Sequence, residues 1–309
     1  MMLGRAAAAA LLLGLATTPA HAAPTVAATP TATTTPAAAC DLSLGSVNAG
    51  GDQQGQRITA TTPPTAGSKS TQAVNVFADG VARLSSSWVI EPEVPATWAH
   101  YGEVVLNSTM YSAIYRTGGS DPKVYLTRIG GGWDKFTYFE KSWYDEGAAQ
   151  NFARTHYYGL RNDGTVFRWQ LSGSTWRAAG SYPGFAAVKT MTLISQTRTY
   201  DTFLANTRGG ALYTIRIPVS SPMKPIVKSV RTSTWQGFET LVAERCGQYG
   251  VLLLGIDKDT SSSYLYAVGH ANGTSTVIKG LGKVPTTHTD PVYFRWTAVA
   301  YANPPLFGE

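Results

Sequence analysis

The hydrophobic positions come in short runs, many of them alternating with polar residues, and Gly, Asn, Asp, Ser or Pro bound each run. This is the pattern of strands joined by tight turns. The stretch YGLRNDGTVFRW, Tyr158 to Trp169, shows the unit. Asn162-Asp163-Gly164 supplies a turn whose residues tolerate positive φ, with an apolar strand on either side. The unit recurs, with second strands centred near positions 82, 125, 167, 213, 266 and 307. Periods of this length with several short strands each predict β-propeller blades.

A second mark falls late in successive units: Gly102-Glu103-Val104-Val105, Gly147-Ala148, Gly184-Phe185, Gly237-Phe238 and Gly280-Leu281. Each is expected to open the outer strand of a blade. Gly55-Gln56-Arg57-Ile58 matches it near the start of the folded part. The late end of the sequence therefore carries the first two strands of a unit and the early end the last one or two. Together they predict a composite blade that closes the ring and hides its edges. The expected fold is an all-β propeller of six blades, with five or seven as the alternatives. Helix-period stretches are nearly absent, and Gly and Pro are frequent.

The first residues follow another rule. Met1 to Arg5 is a short basic start, Ala6 to Ala16 an uncharged apolar run, and Thr17-Thr18-Pro19 breaks it before Ala20-His21-Ala22. Residues 1–22 read as a secretory signal peptide, cut between Ala22 and Ala23. The run is too short to span a bilayer, so no membrane insertion is expected. Residues 23–39, all Ala, Thr, Pro and Val, read as a disordered tether. Residues 40–309 read as one propeller domain. The expected localisation is extracellular.

In an exported chain, the only two cysteines, Cys40 and Cys246, are most simply a disulfide; two free thiols are the alternative. Closing so long a loop is worth at most about 5 kcal/mol in the chain-entropy picture. Net charge is +6, and loss of Arg5 with the leader leaves +5. The cations are scattered, which argues against nucleic acid as a partner.

No reactive constellation stands out. The Gly-x-Ser-x-Gly elbow, the His-Glu-x-x-His pair and the P-loop are missing. Asp257 to Ser261 resembles the start of a calcium loop but lacks its Gly and distant Glu, so a turn explains it better. Neither a metal nor another cofactor is expected. A glycosidase needs two converging carboxylates. Glu91 with Glu93, Asp145 with Glu146, and Asp257 with Asp259 are local acidic pairs without an evident partner. The chain is expected not to be an enzyme, with a glycoside hydrolase or sialidase-like activity as the alternative.

Aromatics are the richer signal. Trp133 follows Gly130-Gly131-Gly132, and Trp176 follows Ser172-Gly173-Ser174-Thr175. A Trp beside such a turn can present a flat face to a sugar ring, while nearby polar groups order the hydroxyls. Trp133, Trp143, Trp176 and Trp235, with Asn162 and Asp163, are the candidate ligand-binding residues. Packing between blades is the competing role for each Trp.

With its Ala-rich leader, its Ala/Thr/Pro tether and blades of the YGLRNDGTVFRW…GFAAVKTM type, the chain resembles secreted bacterial β-propeller lectins. Among these it is most similar to the lectin subunits of the umbrella toxin particles exported by filamentous actinobacteria. The resemblance covers Cys40 to Glu309 and rests on architecture and texture rather than a site motif. It implies a non-enzymatic subunit that recognises a cell-surface glycan and joins a large secreted toxin protein through a small adaptor. A protein-binding scaffold without sugar affinity is a further alternative.

Overall fold

The computed structural model describes residues 39–94, 96–118, 123–147, 152–298 and 305–309. The expected leader, the Ala22–Ala23 cleavage site and the tether up to residue 38 lie outside the described residues.

The described residues open with β1 (Asp41–Val47), β2 (Gln53–Thr59), β3 (Thr65–Ala66) and β4 (Ser70–Ala73). A first blade follows: β5 (Ala82–Ser85), β6 (Trp88–Val94), β7 (Thr97–Leu106), β8 (Thr109–Thr117) and β9 (Tyr125–Gly131). The second blade holds β10 (Phe136–Asp145), β11 (Ala153–Arg161), β12 (Val166–Ser172) and β13 (Thr175–Tyr182). The third holds β14 (Val188–Gln196), β15 (Tyr200–Thr207), β16 (Leu212–Pro218) and β17 (Ile226–Arg231). The fourth holds β18 (Thr240–Cys246), β19 (Gly250–Asp257), β20 (Ser262–Val268) and β21 (Ile278–Lys283). Finally β22 (Val292–Ala298) returns to pair antiparallel with β1, from Val47 opposite Val292 to Leu44 opposite Arg295. β22, β1 and β2, flanked by β3 and β4, form the closing blade.

The inner strands β5, β10, β14, β18 and β22 all contribute to the lining of one central channel. Neighbouring inner strands touch around the whole ring, β5 to β10 to β14 to β18 to β22 and back to β5. The protein is an all-β propeller closed by a blade drawn from both ends of the domain. Its described residues form five blades rather than six.

The difference from the expected six blades has a physical cause. Val74 to Phe77 lies outside the strands, and Ala82–Ser85 is an inner strand, so the supposed first hairpin is the crossing from the closing blade into the first. The inner position of that blade is split: β5 pairs with the Val104–Leu106 end of β7, and β6 with its Thr97–Tyr101 end. The hairpin near 125 joins strands three and four of its blade, whereas those near 167, 213 and 266 join strands two and three. Among the described residues, the closing blade takes one strand from the late part of the sequence, not two, and its remaining strands from the early part. Gly184-Phe185 and Gly237-Phe238 lead into inner strands rather than opening outer ones.

A further repeat, which the hairpins do not reveal, marks the blades. A glycine in the second strand lies under an aromatic ring of the same blade. A Cβ on Gly45 would come within 2.1 Å of Phe294, on Gly102 within 2.6 Å of Trp88, and on Gly159 and Gly255 within 2.8 Å of Phe136 and Phe238. In the third blade Ala205 holds the matching register, opposite Met191 and Tyr213.

The seams between blades are bound in different ways. An apolar cluster with Trp88, Tyr115, Phe294 and Trp296 joins the closing and first blades, and β6 runs parallel to β22 there. The fourth and closing blades share a cluster of Leu42, Leu44, Ile58, Leu252 and Leu254. The Cys40–Cys246 disulfide ties the same pair of blades together, with a Cα–Cα distance of 5.5 Å. A larger cluster runs across the second, third and fourth blades. Between the second and third, Asp201 accepts hydrogen bonds from both terminal nitrogens of Arg154 at 2.8 and 2.9 Å, from Ser142 Oγ at 2.6 Å and from Tyr158 OH at 2.6 Å.

Buried histidines make the fold sensitive to acid. His100 stacks on Tyr115, its Nε2 2.9 Å from Thr117 Oγ1, and His288 Nε2 lies 2.8 Å from Ser263 Oγ. Burial lowers the pKa of each from 6.5 to about 4. Their unfolded forms take up protons near pH 6.5, and the folded forms do so only near pH 4. The stability they contribute is therefore complete above pH 6.5 and is lost as pH falls toward 4. Calorimetry across that window should show a falling melting temperature, and the double variant His100→Gln/His288→Gln should flatten the slope.

Candidate functional site

The seam between the first and second blades is only partly packed. An apolar cluster of Val105, Met110, Trp133, Phe139 and Tyr157 fills part of it. Above this cluster sits a buried polar knot. Glu103, on β7, accepts a hydrogen bond from Tyr157 OH at 2.7 Å, with Lys141 Nζ and Ser86 Oγ each 3.4 Å away. Burial raises the Tyr157 pKa far above 10, with the Glu103 charge adding to it, so the phenol stays a donor.

Alongside the knot the seam opens into a groove of about 460 Å³. The first blade lines it with Glu103, Ser112, Thr127 and Arg128, and the second with Tyr157, Leu171, Thr175 and Trp176. Strand alternation explains three of the first set: Ser112 stands opposite both Glu103 and Thr127, so these three share one face, while Arg128 stands opposite Tyr111. The Gly173-Ser174 turn carries Thr175 and Trp176 back over the seam, and Trp176 pairs with Leu171. The Trp176 indole lies on the Tyr157 ring at 3.8 Å between centroids and 13° between planes. The groove thus brings together a stacked aromatic pair, Arg128, the buried Glu103 and several hydroxyl-bearing residues.

The sequence-based candidates separate. Trp176 lines this groove, and Trp143, half-buried, lines a smaller neighbouring hollow of about 170 Å³ with Tyr101, Lys141 and Thr155. Trp133 and Trp235 are core residues, each 5% exposed, and offer no face to a ligand. Trp133 is enclosed by Phe136, Phe139 and Trp169, and Trp235 by Phe238 and Tyr266. Asn162 and Asp163 sit in the exposed turn between β11 and β12. There Asp163 pairs with Arg161 and accepts from Thr165 N, which is turn chemistry away from the groove. Arg128 and Tyr157 were not among the candidates. Glu103 had a signal of its own, an acid inside the apolar strand run Gly102-Glu103-Val104-Val105.

The acidic pairs serve the fold. Glu93 is held by Arg116 and Glu146 by Arg198, while Asp145 and Asp257 accept backbone N–H groups of their own turns. The channel holds Glu140, whose carboxyl accepts from Lys141 N at 3.0 Å. Burial raises its pKa against the pull of Arg295. Arg295 itself pairs with Glu244 at 3.3 Å, and Glu239 in the same channel pairs with Lys189. Among the described residues, no group of three or more His, Cys, Asp or Glu could hold a metal ion. No described helix is long and apolar enough to cross a membrane.

Neither a protein-family model nor a curated protein matches the chain. Solved structures of similar shape include the α-L-arabinofuranosidase PaAbf62A from Podospora anserina in complex with cellotriose. It is 11% identical, with 69% of this chain and 73% of that one covered and a TM-score of 0.42. AofleA from Arthrobotrys oligospora is 11% identical, covering 84% and 90%, with a TM-score of 0.40. The SapL1 lectin in complex with alpha methyl fucoside is 10% identical, covering 77% and 81%, with a TM-score of 0.41.

Proposed function

We propose that this protein is a secreted, non-catalytic carbohydrate-binding propeller whose sugar site is the groove between the first and second blades. The observation that carries this reading is the meeting of Trp176, stacked on Tyr157, with Arg128 and the buried Glu103 in one groove. An aromatic face takes the C–H surface of a sugar ring, a carboxylate accepts from its hydroxyls, and a guanidinium donates to them. A broader hollow beside the closing blade, lined by Phe77, Leu106, Tyr111 and Leu126, brings no Lys or Arg to its lining. A glycan array identifies the ligand, and titration calorimetry should then give one site per chain in this groove. Trp176→Ala should weaken binding by about tenfold or more. Unchanged affinity in that variant would contradict the assignment.

The finer reading makes the protein the target-recognition subunit of a multiprotein antibacterial toxin particle. It draws on the resemblance to umbrella-particle lectins. Co-purification of a small adaptor and a large secreted toxin protein from culture supernatant supports it, and recovery as a lone monomer contradicts it.

A glycoside hydrolase is the second reading, and the raised pKa of Glu140 in the channel favours it. Hydrolysis of an aryl glycoside that Glu140→Gln abolishes would establish that reading in place of the first.

A further inference from the structure

Residues 305–309 are seated as a ligand would be, between the third and fourth blades. Leu306 is 2% exposed, within the apolar cluster that also holds Val251, Leu253 and Ala271. Its carbonyl accepts from Gln196 N at 2.9 Å. Gly308 donates to Ile194 O at 2.8 Å and accepts from Ala271 N at 2.6 Å, so the segment bonds to both blades. Phe307 makes an isolated antiparallel bridge with Ser195. The Glu309 side chain, itself buried, meets Thr202 Oγ1 and lies 3.1 Å from Arg216 Nε.

These contacts define a recognition pattern. An apolar side chain enters the cluster, backbone pairing fixes the next residue, and Arg216 with Thr202 reads an acid. Glycine is required before the acid, since a Cβ on Gly308 would lie 2.6 Å from Ile194 O. We infer that this seam is a peptide-docking site for an extended Leu-x-Gly-acid segment, which the chain fills with its own residues 306–309. Strand addition supplies the affinity, and the Leu and acid sockets supply the specificity. The partner it fits is a protein presenting the same pattern in an exposed segment. The attached segment competes at an effective concentration of about millimolar, so a partner gains access only when that segment is weakened or displaced.

The test uses the full chain with Leu306→Ala and Glu309→Ala, and a fluorescent peptide of sequence Asn-Pro-Pro-Leu-Phe-Gly-Glu. Anisotropy should show saturable binding, about tenfold or more tighter than to the unaltered chain, whose site is filled. Adding Arg216→Ala to the protein, or exchanging the peptide's Gly for Val, should weaken binding by about tenfold or more. Equal binding of the Val peptide, or no saturable binding, overturns the inference. If the double variant does not fold, Glu309→Ala alone takes its place. If neither folds, the segment is an inseparable part of the core, which also overturns it.

Discussion

Asp201→Ala is expected to cost the fold about 3–5 kcal/mol, because it strands a buried guanidinium. Arg154 and Asp201 are 3% and 0% exposed at their side chains, and their ion pair spans the seam between the second and third blades at 2.8 Å. Burial works against the Asp201 charge, but His156 at 3.6 Å, the Arg154 guanidinium and the Ser142 hydroxyl still hold its pKa below the ordinary value. Denaturant unfolding measures the loss. Joint replacement, Arg154→Met with Asp201→Leu, should recover much of it, since an apolar pair of similar volume leaves no unpaired charge. Full stability in Asp201→Ala would mean that the seam is held by its apolar cluster alone.

Gly45→Val should cost about 3 kcal/mol, for a steric reason. Gly45 lies directly opposite Phe294 in the pairing of β1 with β22, where the ring is closed. The Cβ of any other residue would clash with the Phe294 ring, 2.1 to 2.7 Å from three of its atoms. Only a shift of that ring can make room, and Phe294 is itself packed against Trp88 and Trp296. Phe294→Ala in the same chain should give back part of the loss, a coupling that a double-mutant cycle reads directly. Additive losses would contradict the contact.

Much of this fold can be read before any coordinates. The turn at Asn162-Asp163-Gly164, the strand pairs flanking it and those around Arg208 and Lys258 form where local chemistry places them. The same holds for closure by both ends and the Cys40–Cys246 bond. Blade count is different, because it depends on where each hairpin sits within its sheet. Nothing local separates the crossing near Ala78-Asp79-Gly80 from a true second-to-third strand turn. Nor does a local pattern reveal that β5 and β6 share one strand position along β7. The glycine-under-aromatic repeat is equally hidden, since its partners lie 14 or more positions apart along the sequence.

The candidate site is legible to a smaller degree. Trp176 beside its Gly-rich turn lines the candidate groove, but Trp133 beside a similar turn faces inward, and sequence alone does not tell them apart. The difference arises one level up. Trp133 N bonds to Ser108 O and its ring falls into the apolar end of the seam, while Trp176 stands where the seam opens. Glu103 and Arg128 come from different strands, and only the groove between the first and second blades brings them together with Trp176.

The most direct test is a crystal structure of the protein with a glycan chosen from the array. This account places the sugar ring against Trp176, with hydroxyls in reach of Arg128 and Glu103. Density for the sugar at Glu140 in the central channel would contradict it and favour the hydrolase reading.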